Sequence, residues 1–281
     1  MARLIHLSDL HFGAHDPVIV EAVERRVDEE KPDLVVISGD FTQRARTDQF
    51  KEACAFLERL RDAGHEVLAV PGNHDVPLYD VLRRFLSPLT RYKRYVSDIL
   101  CPFHEVPGAS VLGINTARSA TFKGGRVNDE QIAFIRDTFA RTDRDNVRIL
   151  VTHHPLFAQP VGEGLEPSRA VDNDKPALAA IAEAGVDLLL AGHNHRAWTI
   201  ASELAKGAGR ALVIQAGTAT STRVRDEGQS FNLIVTAPAR VEVILEQWDG
   251  SRFVRGDAQR FARAGQHWEL AGGEPVEETA H

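Results

Sequence analysis

Cysteine is scarce. Cys54 and Cys101 are the only thiols, too few for a disulfide framework or a thiolate metal cage, and a reducing compartment is the default. Long apolar runs are also missing. No stretch approaches the roughly 20 apolar residues a membrane helix needs. The opening MARLIHLSDLHF is broken by His6, Ser8, Asp9 and His11, which is not the pattern of a secretory leader. Positive charge is in deficit. Against 33 Lys and Arg stand 40 Asp and Glu, a net charge of −7, which gives no broad attraction to nucleic acid or to an anionic membrane. No linker, internal repeat or low-complexity tract divides the chain. The expectation is a soluble, cytoplasmic protein that neither docks on a membrane nor carries a nucleic-acid groove.

What is present fits a globular enzyme-sized domain. The 281 residues, 43% hydrophobic and 26% charged, can bury a core without covalent staples. One domain is expected over 1–263, with the Gly- and Glu-rich residues 264–281 as a mobile tail. Short Val/Ile/Leu-rich strands are expected at 3–8, 33–38, 66–71, 110–115, 147–152 and 187–191. Helices lie between them. Asp16-Pro17 opens one, Thr47 caps a second that stops at Gly64, Asn128 caps a third, and residues 175–184 form a fourth. After Gly192 the pattern changes to strands without helices, at 197–202, 211–216, 231–236 and 241–247. This order argues for an α/β protein in which a second sheet packs on the first. The Pro/Gly-containing stretch 155–173 is a long loop of a length often tied to function.

Histidine is plentiful, at 12 residues, and its placement carries the functional reading. Five of the six early strands end in polar clusters: Asp9-Leu10-His11, Gly39-Asp40, Gly72-Asn73-His74-Asp75, His153-His154-Pro155 and Gly192-His193-Asn194-His195. The carboxyl ends of strands in an α/β sheet share an edge where ligands bind. Imidazole, carboxylate and amide oxygen suit borderline to hard cations, and so many donors fit a pair of ions better than one tetrahedral ion. Asp9 and His11 stand two apart, as do His193 and His195. On an extended strand end each pair would point one way. His6 reads as a sheet histidine with its polar atoms satisfied.

This ordered set of motifs resembles the calcineurin-like metallophosphoesterases over roughly residues 1–250. The resemblance implies a four-layer sandwich, two mixed β-sheets packed face to face with flanking helices. It implies two divalent or trivalent metal ions, Mn2+ or Fe2+/Fe3+, with Zn2+ also accepted. Asp9, His11 and His195 would hold the first, and Asn73, His153 and His193 the second, with Asp40 bridging. His74 would protonate the leaving oxygen or hydrogen-bond the phosphate, and Asp75 would hold His74 in the right tautomer. His153 is chosen over its neighbour by the family pattern alone. His154, Asn194 and Arg118 are candidate substrate contacts. Arg118 lies with Phe122, Lys123 and Arg126 in a segment that reads as a plain surface loop before it reads as a substrate clamp.

The implied activity is hydrolysis of a phosphoester by a metal-bridging hydroxide. The overall length and the full run of motifs, from Leu7–His11 through Gly72–Asp75 to Gly192–His195, look most like the bacterial cyclic-nucleotide and glycerophosphodiester phosphodiesterases, so a small phosphodiester comes first. A phosphomonoesterase or protein phosphatase, a nuclease, and a metal-binding protein scaffold are the alternatives. The C-terminal strands could also pair across a homodimer.

Overall fold

Alternation along each strand builds the molecule. The structure, a computed structural model, describes residues 1–78, 80–119, 124–156, 171–172, 174–200, 211–222, 228–265 and 267–272. In β1 (Ala2–Leu7) and β2 (Leu34–Ile37), Leu4, Leu34 and Val36 face one side, while Ile5, Leu7, Val35 and Ile37 face the other. The first set meets Ile149 and Val151 of β6 (Val147–Thr152) and Leu188 and Leu190 of β7 (Leu188–Ala191) in a core between two sheets. The second set packs under α1 (Pro17–Glu30) and α2 (Thr47–Asp62), through Ile19, Val23, Phe50 and Phe56. On the far side, Leu150 and Leu189 pack under α5 (Asp129–Phe139) and α6 (Asp174–Glu183). Helices, sheet, sheet and helices make four layers, because strands apolar on both faces must be covered on both.

The first sheet runs β13-β12-β11-β10-β1-β2-β3 and the second β4-β5-β6-β7-β9-β8. β3 (Val67–Ala69) continues the parallel half of the first sheet. β10 (Ser230–Ala237), β11 (Arg240–Trp248), β12 (Phe253–Ala264) and β13 (His267–Leu270) form its antiparallel half. In the second sheet β5 (Ala109–Ile114), β6, β7 and β9 (Leu212–Gln215) are parallel. β4 (Phe103–Val106) and β8 (Trp198–Ile200) close its edges antiparallel. The early strands therefore do not share one sheet. β1–β3 join the late strands of the chain, and β5–β7 form the other sheet.

Two expectations are corrected by local chemistry. Thr47 is the first residue of α2 rather than its cap, and the Gln49 side chain does the capping, accepting from Arg44 N at 2.8 Å and Arg46 N at 3.4 Å. Residues 264–272 are not the start of a free tail. β13 pairs with the end of β12, and Trp268 is buried in the inter-sheet core beneath the Arg263 guanidinium at 4.8 Å. Residues 273–281 lie outside the described residues, as do residues 157–170, where the long loop was expected. Two short helices missed in the sequence, α3 (Val81–Leu86) and α4 (Thr90–Tyr95), follow the Asn73–Asp75 turn.

Leu190 is 1% exposed at the centre of the inter-sheet core. Leu190→Ala is expected to cost about 2–5 kcal/mol in urea unfolding. A cost below about 1 kcal/mol would show that the two sheets do not share a packed core.

Candidate dinuclear metal centre

The loops after β1, β2, β3, β6 and β7 meet at one end of the sandwich, across both sheets. The loops after β1 and β2 zip together, with Asp9 N donating to Gly39 O at 3.0 Å, His11 N to Asp40 O at 2.9 Å and Phe12 N to Phe41 O at 2.8 Å. The second sheet joins through His193 N, which donates to Asp9 Oδ2 at 2.9 Å, and through His153 Nδ1, which donates to Ser38 O at 2.7 Å. Gly39 and Gly72 make this approach feasible. A Cβ at Gly39 would lie 2.7 Å from His153 Nδ1, and one at Gly72 would collide with the Asp40 carboxylate.

The structure brings together all seven side chains named as ligands. On one side, Asp9 Oδ1 lies 3.3 Å from His195 Nε2 and 3.7 Å from His11 Nε2, and the two imidazole nitrogens face each other at 3.1 Å. On the other, Asn73 Oδ1 lies 3.1 Å from His153 Nε2 and 3.0 Å from His193 Nδ1. Asp40 Oδ2 stands between the halves, 3.4 Å from His153 Nε2 and 3.8 Å from His11 Nε2. Asp9, His11, Asp40 and His153 are fully buried, whereas Asn73, His74, His193 and His195 are half-buried and form the mouth.

The convergence does not come from extended strand ends. Asp9, His11, Asp40, His193 and His195 all have positive φ, between 50° and 79°. They make up most of the non-glycine residues in that conformation among the described residues. Left-handed backbone costs an L-residue roughly 1–2 kcal/mol, so the surroundings must hold it. The hydroxyls of Thr218 and Thr220, both buried, donate to Asp9 O and Leu10 O at 2.7 Å each, and Ala219 N donates to Ser8 O. Ser8 Oγ donates to Asp9 Oδ2 at 2.6 Å, which leaves Asp9 Oδ1 buried with no hydrogen-bond partner. Sequence reading missed Ser8, Thr218 and Thr220. The run Thr218-Ala219-Thr220 just past a strand was the available signal.

The donor set fits a pair of cations. Asp9 Oδ1 is an unused buried acceptor, and two imidazole nitrogens approach each other where one at least must present a lone pair. His153 Nδ1 is committed to a carbonyl, which turns Nε2 toward Asp40 and Asn73. With oxygen and imidazole donors and no thiolate, Mn, Fe and Zn are all suitable.

Asp75 does something other than expected. Its buried carboxylate accepts from Thr42 N and Gly72 N at 2.9 Å and from Phe41 N at 3.2 Å, fastening the loop after β2 to the turn that carries His74. His74 takes its tautomer from Gln43 instead. Its Nδ1 donates to Gln43 O at 2.8 Å, its backbone N donates to Asp40 Oδ1 at 2.8 Å, and its ring packs edge-on to His11. A side chain one residue away in a single 3-10 turn points off to another side, which the bare motif does not show. His154 is buried against His193, with Thr116 Oγ1 2.8 Å from its Nδ1. Arg118 is spent on Asn115 O, Ala117 O and Gln131 Oε1, bonds that do not support a substrate clamp. Asn194 is half-buried between two ligands, its N–H closing the turn onto Gly192 O. Phe122 and Lys123 lie outside the described residues. His6 donates or accepts at Ser38 Oγ over 2.9 Å, and its Nδ1 has no hydrogen-bond partner.

Burial and charge divide the titrating groups. Burial opposes ionisation of Asp40, but the charges of His153, His74 and His11 hold it well below the usual carboxylate range. Burial also works against protonated His153, yet Asp40 raises it to about 9. Burial pushes His6 down to about 3 and, with the His153 charge, His193 down to about 4; His154 is likewise well below its ordinary value. Burial and the Asp40 charge push Asp75 up to about 7.

Signs follow from these shifts. Below pH 6.5 the unfolded chain binds protons on His6, His15, His154 and His193 that the folded chain resists, four against the one that folded Asp75 retains. Stability therefore falls as pH drops. The His153–Asp40 contribution is complete below pH 6.5 and is lost as pH rises through about 9. The melting temperature of metal-free protein should peak near neutrality and decline on both sides; a monotonic rise from pH 5 to 9 would contradict this assignment. Ser8→Ala releases Asp9 Oδ2 and is expected to weaken metal affinity about 10–100-fold in calorimetric titration. Unchanged affinity would show that Ser8 does not position Asp9.

Comparisons with known proteins agree with this geometry. The family model described as calcineurin-like phosphoesterase matches residues 2–197. The DNA double-strand break repair protein Mre11 of Aeropyrum pernix is 34% identical over 184 residues, 57% of this chain and 43% of that protein. The chain thus matches less than half of that relative's length. The glycerophosphodiester phosphodiesterase GpdQ of Enterobacter lignolyticus is 24% identical over 211 residues, covering 68% of this chain and 70% of that one. Among solved structures, a dimetal phosphatase from Danio rerio superposes with a TM-score of 0.62 at 13% identity, covering 90% of this chain and 98% of its own, which shows a shared fold. With the family model spanning well over half its residues, the chain belongs to the calcineurin-like phosphoesterases.

Proposed function

We propose that the chain hydrolyses a small phosphodiester, of the cyclic-nucleotide or glycerophosphodiester kind, using two cations held by Asp9, His11 and His195 and by Asn73, His153 and His193, with Asp40 shared. The observation that carries the reading is Asp40, buried between two three-donor sets and bonded by its other oxygen to the backbone of His74. Bound there, the cations would stabilise charge on a phosphoryl group and lower the pKa of a water nucleophile. The similarity to GpdQ over most of both chains supports a diester.

The chain's own residues supply orientation and a proton. His74 has Nδ1 committed to Gln43 O, so Nε2 is the nitrogen that exchanges a proton with the leaving oxygen. Its backbone N–H, on Asp40 Oδ1, fixes the ring's position relative to the shared ligand. Thr116 Oγ1 accepts from His154 N at 3.3 Å and can give its own hydrogen to His154 Nδ1. In that tautomer His154 Nε2 carries a hydrogen and serves as a donor to a phosphoryl oxygen. His153, with Nδ1 donating, serves as a ligand.

A nuclease is the second reading, favoured by the similarity of part of the chain to a DNA double-strand break repair protein and opposed by the net charge of −7. Turnover of bis(p-nitrophenyl) phosphate with added Mn, abolished by chelation and exceeding that of p-nitrophenyl phosphate, is the expected result. Preference for the monoester would make the protein a phosphatase, cleavage of DNA in place of small diesters would make it a nuclease, and no turnover of any would leave a metal-binding scaffold.

Two variants separate the roles. Asp40→Ala should abolish tight binding of the metal pair along with activity, and full retained activity would refute the assignment. His74→Ala should keep the metal content and lower kcat by about 10²–10⁴-fold. A fall in metal content with unchanged kcat per metal would make His74 a ligand instead.

A further inference from the structure

An apolar patch stands where a solvated helix is expected. On α3, Val81, Leu82, Phe85 and Leu86 are 63%, 72%, 60% and 76% exposed. They occupy four of its six positions, so nearly every outward side of the helix is apolar. Patches of this kind on a folded chain mark contact surfaces. The helix is not adrift. Arg84, the one buried residue of α3, donates to Pro77 O at 2.9 Å and Ser119 O at 2.7 Å. Pro77 lies three residues beyond His74, and Ser119 lies three beyond Thr116, the partner of His154. α3 is thereby tied to the two segments that carry His74 and Thr116.

Its charge is opposite to that of the rest of the protein. Residues 81–95 (VLRRFLSPLTRYKRY) hold five basic residues and no acidic one, so the remainder carries −12 when the whole carries −7. Arg84 is internal and Arg83 pairs with Asp80 at 3.1 Å, but Lys93 and Arg94 of α4 are exposed and Arg91 reaches the surface in part. The overall acidity of the chain hides this local field.

We propose that α3 and α4 dock the protein on an anionic lipid surface, with the apolar side chains entering the headgroup boundary and the basic ones meeting lipid charge. Exposed Leu and Phe beside Lys and Arg are the chemistry of interfacial binding. A second copy of the chain fits less well. A two-fold contact uses the same patch on both copies, and residues 81–95 hold no acidic side chain to meet the Lys93 and Arg94 of the other. No helix among the described residues is long and apolar enough to cross a membrane, so the attachment is peripheral.

The test is sedimentation of the full-length protein with phosphatidylcholine vesicles, with and without phosphatidylglycerol, at low and high salt. Binding to the mixed vesicles only, weakened by salt, is expected. The combined variant L82Q/F85Q/L86Q and, separately, K93E/R94E should each reduce binding at least tenfold. All five positions are exposed, and an unchanged melting temperature verifies the fold. Should the apolar variant melt lower, K93E/R94E decides alone. No binding by the wild type, or equal binding by the variants, overturns the proposal. So does a wild-type dimer that L82Q/F85Q/L86Q turns into a monomer, which would assign the patch to self-association. Binding requires neither metal nor turnover, so its failure leaves the catalytic reading standing, and failure of that reading leaves this one intact.

Discussion

Everything at the metal centre depends on backbone held in a conformation it disfavours. Five left-handed residues, at about 1–2 kcal/mol each, amount to a sum comparable with the net stability of a typical domain, about 5–15 kcal/mol. The conformation persists because the loops are hydrogen-bonded to each other before any ion is considered. The loops after β1 and β2 share a ladder, Thr218 and Thr220 tie the Asp9–Leu10 backbone to the other side, and Asp75 fastens Gly72 to Phe41 and Thr42. The strain is spread over two sheets whose shared core is rigid. The cost is met by packing remote from the site, and the gain is a set of donors already in place.

Pre-placement has an electrostatic consequence. Two carboxylates and four imidazoles buried together repel or attract strongly, and the arrangement settles by keeping Asp9 and Asp40 ionised, His153 protonated and His193 neutral. A proton on His153 stands where a cation is suited to stand. Metal uptake would exchange protons for positive charge that the carboxylates already prefer. An acidic protein would thereby gain a local positive spot fit for phosphate.

The convergence of the candidate ligands was legible in the chain because they fall in short motifs after strands, and strands rich in Val, Ile and Leu betray themselves. Asp40 and Asn73 were readable for that reason, as was the cap at Asn128. The pairing of strands was not. β1 sits between β2 and β10, more than 200 residues apart in the case of β1 and β10, and no local pattern encodes such a neighbour. The i, i+2 argument for Asp9 and His11 reached the right proximity by the wrong geometry, since φ > 0 at a non-glycine residue leaves no trace in composition. The roles of Asp75 and Gln43 turn on where a 3-10 turn aims its side chains. α3 escaped notice because six residues with Leu, Phe and Arg on every side show no amphipathic period. Net charge concealed it further, because a sum over the chain erases a basic segment.

The account rests on two cations sharing Asp40. Anomalous scattering from crystals of the Mn-loaded protein measures this directly. Two peaks are expected roughly 3.5–4 Å apart, one among Asp9, His11 and His195 and the other among Asn73, His153 and His193, with an Asp40 oxygen between them. A single peak, or peaks away from Asp40, would contradict it.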